Sequence, residues 1–297
     1  MGNGQRGGAI AHDYGERTRS FLSSILEMRR EWKKKRFEAK IKAGYNGPII
    51  VAEGDSWFEY PNSKDLLVWL GEKYAVLSLA KAGDSFAEVT GTNDELFHTL
   101  QHPPKDKEFH IVLLSLGGNE VMGHIEDFVD EYKQGRPDEN YILPGFKKML
   151  EEVKKEYEVL IQRIIDNGTQ HVILHGYDYP DPRYPRERDG EANGAQWIGP
   201  PLNNLRNIGT ITTFRCVANM MLDGFNDMLK EVANRAQYQG RVHYVRLLGT
   251  IGQWDKNHGA TPGLWVDEIH GSDEGFELLA KKFERVIDQV WTSMQQA

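Results

Sequence analysis

Cysteine is almost absent from this chain of 297 residues, since Cys216 is the only one. A single cysteine excludes an intramolecular disulfide, and it is typical of proteins that fold in a reducing compartment. No run of about eighteen apolar residues occurs, so the sequence predicts no membrane-spanning helix. The residues from Met1 to Gly8 lack the apolar core of a secretory signal. We therefore expect a cytoplasmic protein.

Basic residues are in deficit. The chain has 36 Lys and Arg against 44 Asp and Glu, which gives a formal net charge of -8. Binding of nucleic acid depends on clustered cations, so no nucleic-acid partner is expected. The exception lies within residues 16–43, which the apolar spacing predicts to be an amphipathic helix. Its cations cluster at Arg29, Arg30, Lys33, Lys34, Lys35 and Arg36. This helix either packs on the outside of the domain or makes peripheral contact with an anionic membrane surface.

Five short apolar segments alternate with helical patterns along the rest of the chain. Such segments fit strands that are buried on both faces of a parallel sheet. They lie at residues 48–53, 74–80, 109–116, 171–175 and 241–247. Apolar stripes at helical spacing predict helices at residues 146–165, 214–237 and 272–294. The alternation predicts a three-layer α/β/α sandwich.

The chain divides into two regions by this pattern. Residues 1–47 are predicted to form a flexible tail and the N-terminal amphipathic helix, and residues 48–297 the α/β domain. Residues 179–213 interrupt the alternation, because they are rich in proline and glycine and show little periodicity. A connection of this length is either part of a substrate rim or lid, or a passive surface loop.

Four short motifs carry residues that could perform chemistry. In an open parallel sheet, ligands bind beyond the carboxyl ends of the strands, and three motifs fall there. The fourth precedes the last helix, which must start at the same edge if it packs back on the sheet. The motifs are Gly54-Asp55-Ser56, Gly83, Gly117-Gly118-Asn119 and Asp267-Glu268-Ile269-His270. The sequence therefore predicts that they converge in space.

These residue types are the ones that acyl transfer requires. Ser56 can act as a nucleophile, provided that a base takes its proton. His270 is the candidate base, and Asp267 could orient it and stabilise the imidazolium that forms. Gly83 lets a backbone N–H approach closely, and the amide of Asn119 and the N–H of Ser56 offer further donors for an oxyanion.

The set resembles the SGNH hydrolases, also called GDSL-like lipases and esterases. Block one resembles Glu53-Gly54-Asp55-Ser56-Trp57, block two Gly83, block three Gly117-Gly118-Asn119-Glu120, and block five the motif that ends at His270. The resemblance covers residues 48–292. It implies a flavodoxin-like, five-stranded sheet of order 2-1-3-4-5, an acyl-serine mechanism without metal or cofactor, and an oxyanion hole made by Ser56, Gly83 and Asn119.

Trp57 departs from the family pattern, which has leucine after the serine, so the family's substrate preference does not carry over. Four residues are predicted to contact the substrate: Trp57, Tyr177, Asp178 and Trp265. Three more aromatic side chains near this edge could join them, and these are His175, Trp254 and His258.

The main hypothesis is a serine ester hydrolase that acts on a lipid, a thioester or a small ester. A carbohydrate O-acetyl esterase of the same fold is an alternative. Two alternatives from other classes stay open, namely a non-catalytic binding module and a metallophosphoesterase. The oligomeric state is not predicted.

Overall fold

The computed structural model describes residues 6–90, 95–184, 197–238, 240–255 and 257–296, with only the backbone described for residues 6–23. Within these ranges five strands form one sheet: β1 (Ile49–Gly54), β2 (Ala75–Ser78), β3 (Ile111–Ser115), β4 (His171–His175) and β5 (Val242–Val245). All pairs are parallel, and the order is β2-β1-β3-β4-β5. The predicted α/β fold with strand order 2-1-3-4-5 is confirmed.

The described ranges contain nine α-helices: α1 (Arg6–Lys42), α2 (Leu66–Lys73), α3 (Phe86–Thr90), α4 (Glu95–Gln101), α5 (Gly118–Met122), α6 (Pro144–Asp166), α7 (Gly199–Arg206), α8 (Ile211–Ala233) and α9 (Asp273–Gln296). Short 3₁₀ helices lie at Ile125–Phe128, Asp138–Tyr141 and Ala236–Tyr238. One layer contains α1, α2 and α9, and the other contains α6 and α8. Strands β1 and β3 are buried along their whole length because helices cover both faces of the sheet.

The neighbouring strands β1 and β3 bring the chain to the same edge of the sheet. Gly54, the last residue of β1, lies opposite Ser115, the last residue of β3. Gly54 has a φ of 150°, and a Cβ built on it would lie 2.2 Å from the carbonyl oxygen of Ser115. Only glycine fits this approach. The two residues after Gly54 therefore leave the sheet beside the end of β3.

Two boundaries differ from the sequence prediction. Helix α1 begins at Arg6, within the segment predicted to be a flexible tail, while residues 1–5 lie outside the described part of the chain. The segment 179–213 contains α7 and the start of α8, whereas its residues 185–196 lie outside the described ranges. Helix α7 opens with Gly-Pro-Pro, a composition typical of loops, although proline also favours the first turn of a helix.

The cation cluster of α1 faces the domain in part. Lys33 is only 5% exposed, and its Nζ donates to the carbonyl oxygen of Phe58 and to the carboxylates of Glu59 and Asp65. Arg29 also pairs with Asp65. Fewer cations are thus free for a membrane surface than the sequence suggested. Among the described helices, none combines the length and the apolar character that crossing a bilayer requires.

Candidate active site

The turn that carries Ser56 is held by buried hydrogen bonds. The carboxylate of Asp55 accepts from the N–H of Trp57 at 3.0 Å, from the hydroxyl of Ser115 at 2.8 Å and from the hydroxyl of Tyr177. Burial raises the pKa of Asp55 to about 6, although the hydrogen bonds from Tyr177, Trp57 and Ser115 oppose the rise. These bonds fix the backbone on both sides of Ser56, which is half-buried at the sheet edge.

Ser56, His270 and Asp267 form one continuous chain of contacts. The Oγ of Ser56 lies 2.7 Å from the Nε2 of His270, and the Nδ1 of His270 lies 2.7 Å from the Oδ2 of Asp267. The loop before α9 provides the two later residues, as the sequence predicted. With Nδ1 bonded to a carboxylate, Nε2 is the nitrogen left to accept the proton of Ser56.

Asp267 is held in a charged, oriented form. Its Oδ1 accepts from the N–H groups of Ile269 and His270, at 2.9 and 2.8 Å. Burial acts to raise the pKa of Asp267, but the hydrogen bond and charge of His270, with the bonds from Ile269 and Tyr60, leave it below the ordinary value. The carboxylate therefore stays ionised at neutral pH and can stabilise a charged imidazole.

Asn119 is bonded to the turn that contains Gly83, and it lines the same cavity as Ser56. Asn119 lies in the first turn of α5, and its Nδ2 donates to the carbonyl oxygen of Asp84 at 2.8 Å. That bond uses one of the two amide hydrogens and leaves the second for an oxyanion. Gly83, beside Asp84, has a φ of 89°, and no atom lies within 4 Å of where a Cβ would stand. Asn119 is thus tied to the turn that contains Gly83.

A small cavity opens beside these residues. Ser56 and Asn119 are polar members of its lining. Its largely apolar part is formed by Trp57, Met122, Pro180, Leu222 and Ile269. Ligand sites are typically of this kind, with apolar walls and a few convergent polar groups.

Each of the four residues predicted to bind substrate has a hydrogen-bond partner within the protein. The indole N–H of Trp57 donates to the carbonyl oxygen of Ile269, and that of Trp265 to the carbonyl oxygen of Ile251. The hydroxyl of Tyr177 bridges Asp55 and the N–H of Gly118. Trp57 and Tyr177 do line the cavity, whereas Trp265 does not.

Asp178, another of the predicted substrate ligands, holds a loop in place. It is 1% exposed, and its carboxylate accepts from the N–H of Tyr179 and from four successive N–H groups of residues 249–252. A carboxylate with five such donors is saturated. It fixes the start of the loop that leads to Asp267, and it lines the cavity without a free oxygen.

The other aromatic candidates lie away from the reacting groups. His175 is fully buried between the rings of Trp57, Phe58 and Phe283, and burial lowers its pKa to about 4. His258 is exposed and pairs with Asp255. Trp254 donates to Asp223. None of these three side chains lines the cavity.

Two residues near the triad escaped the sequence analysis. The ring of Tyr60 stacks on that of His270, and its hydroxyl donates to Asp267. Glu268 is fully buried and accepts from the N–H groups of Arg183, Trp197, Ile198 and Gly199. In the sequence, the only signal for Glu268 was the presence of an acidic residue between Asp267 and His270. Tyr60 had none beyond its closeness to Ser56.

Within the described ranges, no three His, Cys, Asp or Glu side chains group in a way that could hold a metal ion.

No protein-family model and no curated protein matches the chain. Solved structures are similar to it over most of its length. A candidate platelet activating factor from Streptococcus pneumonia has a TM-score of 0.49 at 15% identity and covers 92% of this chain and 99% of its own. Phospholipase A1 from Streptomyces albidoflavus NA297 has a TM-score of 0.48 at 14% identity, with 81% and 99% covered.

A third protein, described as a candidate SGNH hydrolase from Slackia heliotrinireducens, has a TM-score of 0.43 at 12% identity and covers 81% of this chain and 98% of its own. SGNH hydrolases are the family that the four motifs resemble. All three similarities have a TM-score under 0.5, so they carry no argument about the activity of this chain.

Proposed function

We propose that this protein is a serine ester hydrolase that works through an acyl-serine intermediate, with its catalytic domain in residues 48–297. The observation that carries the proposal is the chain of contacts from Ser56 through His270 to Asp267, each 2.7 Å long. A serine hydroxyl is a weak nucleophile at neutral pH, and a base in hydrogen-bond contact is what activates it.

The reaction has two stages. In the first, the Oγ of Ser56 attacks the acyl carbonyl carbon while Nε2 of His270 takes the hydroxyl proton, and the collapse of the tetrahedral intermediate expels the alcohol with that proton. In the second, His270 takes a proton from water while the hydroxide attacks the carbonyl carbon of the acyl-serine, and the C–Oγ bond then breaks as His270 returns the proton to Oγ of Ser56 and the acid leaves. The free N–H of the Asn119 amide, with the N–H groups of Gly83 and Ser56, supports the oxyanion in both stages.

The cavity suggests the acyl part of the substrate. Its walls are largely apolar, and the space that they enclose is small. A short acyl group fits this space better than a long lipid chain. The small size of the cavity keeps a carbohydrate O-acetyl ester as a second candidate, because an acetyl group is a short acyl group.

Hydrolysis of a p-nitrophenyl ester series tests the proposal. We expect turnover of acetyl to butyryl esters by the wild-type protein and none above background by Ser56→Ala. Ser85→Ala is a matched control, since Gly83-Asp84-Ser85 repeats the Gly-Asp-Ser sequence but the hydroxyl of Ser85 donates to Glu88. Turnover by Ser56→Ala equal to that of wild type would refute the acyl-serine mechanism. A panel of acetylated glycans then separates the two substrate classes.

A further inference from the structure

Tyr60 contacts two members of the triad at once. Its ring stacks on the imidazole of His270 with a centroid distance of 4.0 Å and an angle of 14° between the planes. Its hydroxyl donates to the Oδ2 of Asp267 at 2.8 Å, the same oxygen that contacts Nδ1 of His270. Tyr60 does not line the cavity beside Ser56.

The two contacts act on the same catalytic event. When His270 takes the proton of Ser56 it becomes a cation, and the face of an aromatic ring attracts a cation that lies over it. The stack also limits rotation of the imidazole, which keeps Nε2 directed at Ser56. The hydroxyl fixes the carboxylate of Asp267, whose other oxygen accepts the N–H groups of Ile269 and His270.

The hydroxyl of Tyr60 remains a donor at all pH values of interest. Burial, reinforced by the charge of Asp267, holds the pKa of Tyr60 far above its ordinary value. Asn62 donates to the same hydroxyl at 3.4 Å, so the oxygen also accepts a hydrogen bond. The proton of Tyr60 is therefore committed to Asp267.

The loop that carries Tyr60 is fixed from outside the triad. The N–H of Tyr60 lies 3.3 Å from Oδ2 of Asp65, which pairs with Lys33 and Arg29 of α1. Lys33 also donates to the carbonyl oxygen of Phe58, two residues before Tyr60. The backbone at Tyr60 is thus fixed by contacts outside the triad.

We propose that Tyr60 is a positioning residue of the active site, which aligns the imidazole of His270 by ring stacking and the carboxylate of Asp267 by its hydroxyl. This inference rests on the proposed serine mechanism. We expect Tyr60 to affect turnover and not substrate binding, because it contacts Asp267 and His270 but does not line the cavity.

Steady-state kinetics of two variants separate the two contacts. Tyr60→Phe keeps the stacked ring and removes the hydroxyl, and we expect kcat to fall on the order of tenfold, as for loss of a hydrogen bond to a charged group. Tyr60→Leu removes both contacts, and we expect a fall on the order of a hundredfold. KM for p-nitrophenyl acetate should be unchanged in both, and the rate of labelling of Ser56 by a fluorophosphonate should fall in parallel with kcat.

Tyr74→Phe is the matched control, because the hydroxyl of Tyr74 likewise donates to a carboxylate, that of Asp288, but between α2 and α9. It should keep the wild-type kcat. Wild-type kcat in both Tyr60 variants, alongside an inactive Ser56→Ala, would overturn the inference and leave the serine mechanism intact. If wild type shows no hydrolysis that depends on Ser56, the serine mechanism itself is refuted. Because Tyr60→Phe keeps the ring, its kcat tests the hydroxyl contact with Asp267 even if Tyr60→Leu does not fold, and a wild-type kcat in Tyr60→Phe would overturn the positioning role of that hydroxyl.

Discussion

The Nε2 atom of His270 lies 2.7 Å from the hydroxyl oxygen of Ser56, although 214 positions separate the two residues in the chain. The sheet explains the convergence. Ser56 follows β1, the second strand in the sheet order, and His270 precedes α9, whose first residue, Asp273, accepts a hydrogen bond from the N–H of Lys64 just before α2. The contact is therefore a consequence of the topology as much as of the two residues themselves.

Removal of the Asn119 side chain should slow the chemical step. Its amide has one N–H free for the oxyanion, while the other is used by Asp84. We expect Asn119→Ala to lower kcat by about 10²–10³-fold with little change in KM, the typical cost of one oxyanion donor. Kinetics with p-nitrophenyl acetate check this. Asn204→Ala, at an exposed position of α7, is the control and should behave as wild type; an unchanged kcat in Asn119→Ala would exclude this donor.

The cavity wall should set the acyl chain length. Leu222 of α8 lines the cavity and is 1% exposed, whereas Leu229 of the same helix is fully buried elsewhere. Leu222→Ala enlarges the cavity, so we expect the preferred p-nitrophenyl ester to shift to longer chains. Leu229→Ala leaves a similar void in the core, at a similar cost of about 2–5 kcal/mol, and should leave the preference as it is. If the two variants prefer esters of the same chain length, the cavity does not bind the acyl group.

The buried cation of α1 should matter for stability rather than for a membrane. Lys33 neutralises Glu59 and Asp65, which are 1% and 0% exposed. Lys33→Met removes the ammonium group that pairs with both carboxylates. We expect the free energy of unfolding, measured with urea, to fall by about 3–5 kcal/mol. The exposed neighbour Lys34 provides the control, since Lys34→Met should cost little. Equal losses in the two variants would contradict the buried ion pairs.

Glu53 should make stability depend on pH. Burial raises the pKa of Glu53 from 4.5 to about 7, against the opposing hydrogen bond from the N–H of Gly54. Between these values the folded state binds a proton that the unfolded chain does not, so wild-type stability falls as pH rises from 4.5 through 7. Glu53→Gln keeps an acceptor for the N–H of Gly54 but cannot ionise, so its stability does not fall for this reason as the pH rises.

We therefore expect the stability of Glu53→Gln relative to wild type to grow by on the order of 3 kcal/mol between about pH 4.5 and pH 8. Urea unfolding at a series of pH values measures it. The comparison with wild type cancels the contributions of other buried groups, such as Asp55 and His175. A difference that stays constant over this range would mean that Glu53 remains ionised in the folded protein.

Much of the architecture could be predicted from local patterns. The apolar segments that became β1 and β3 are buried on both faces, and such segments have few alternatives to a central parallel strand. The order of the sheet came from the resemblance of the motifs at Ser56, Gly83, Asn119 and His270 to a known family. Helix α7 was missed because proline and glycine at a helix start resemble a loop.

The roles of single polar residues were harder to predict. Asp178 follows β4 at the active edge, where a ligand for substrate is expected, yet its carboxylate is used by five backbone N–H groups. Four of these donors come from residues 249–252, which only the fold brings near. Tyr60 and Lys33 were likewise undetectable as partners of Asp267 and Asp65, because their contacts are side-chain contacts across long sequence separations.

Covalent labelling with a fluorophosphonate tests the central claim most directly. The reagent phosphonylates only a serine that an adjacent base activates. We expect intact-mass analysis to show one adduct per wild-type chain, peptide mapping to locate it on Ser56, and His270→Ala and Ser56→Ala to remain unlabelled. A folded wild-type protein that takes no label, or that takes it on a serine other than Ser56, would contradict the account.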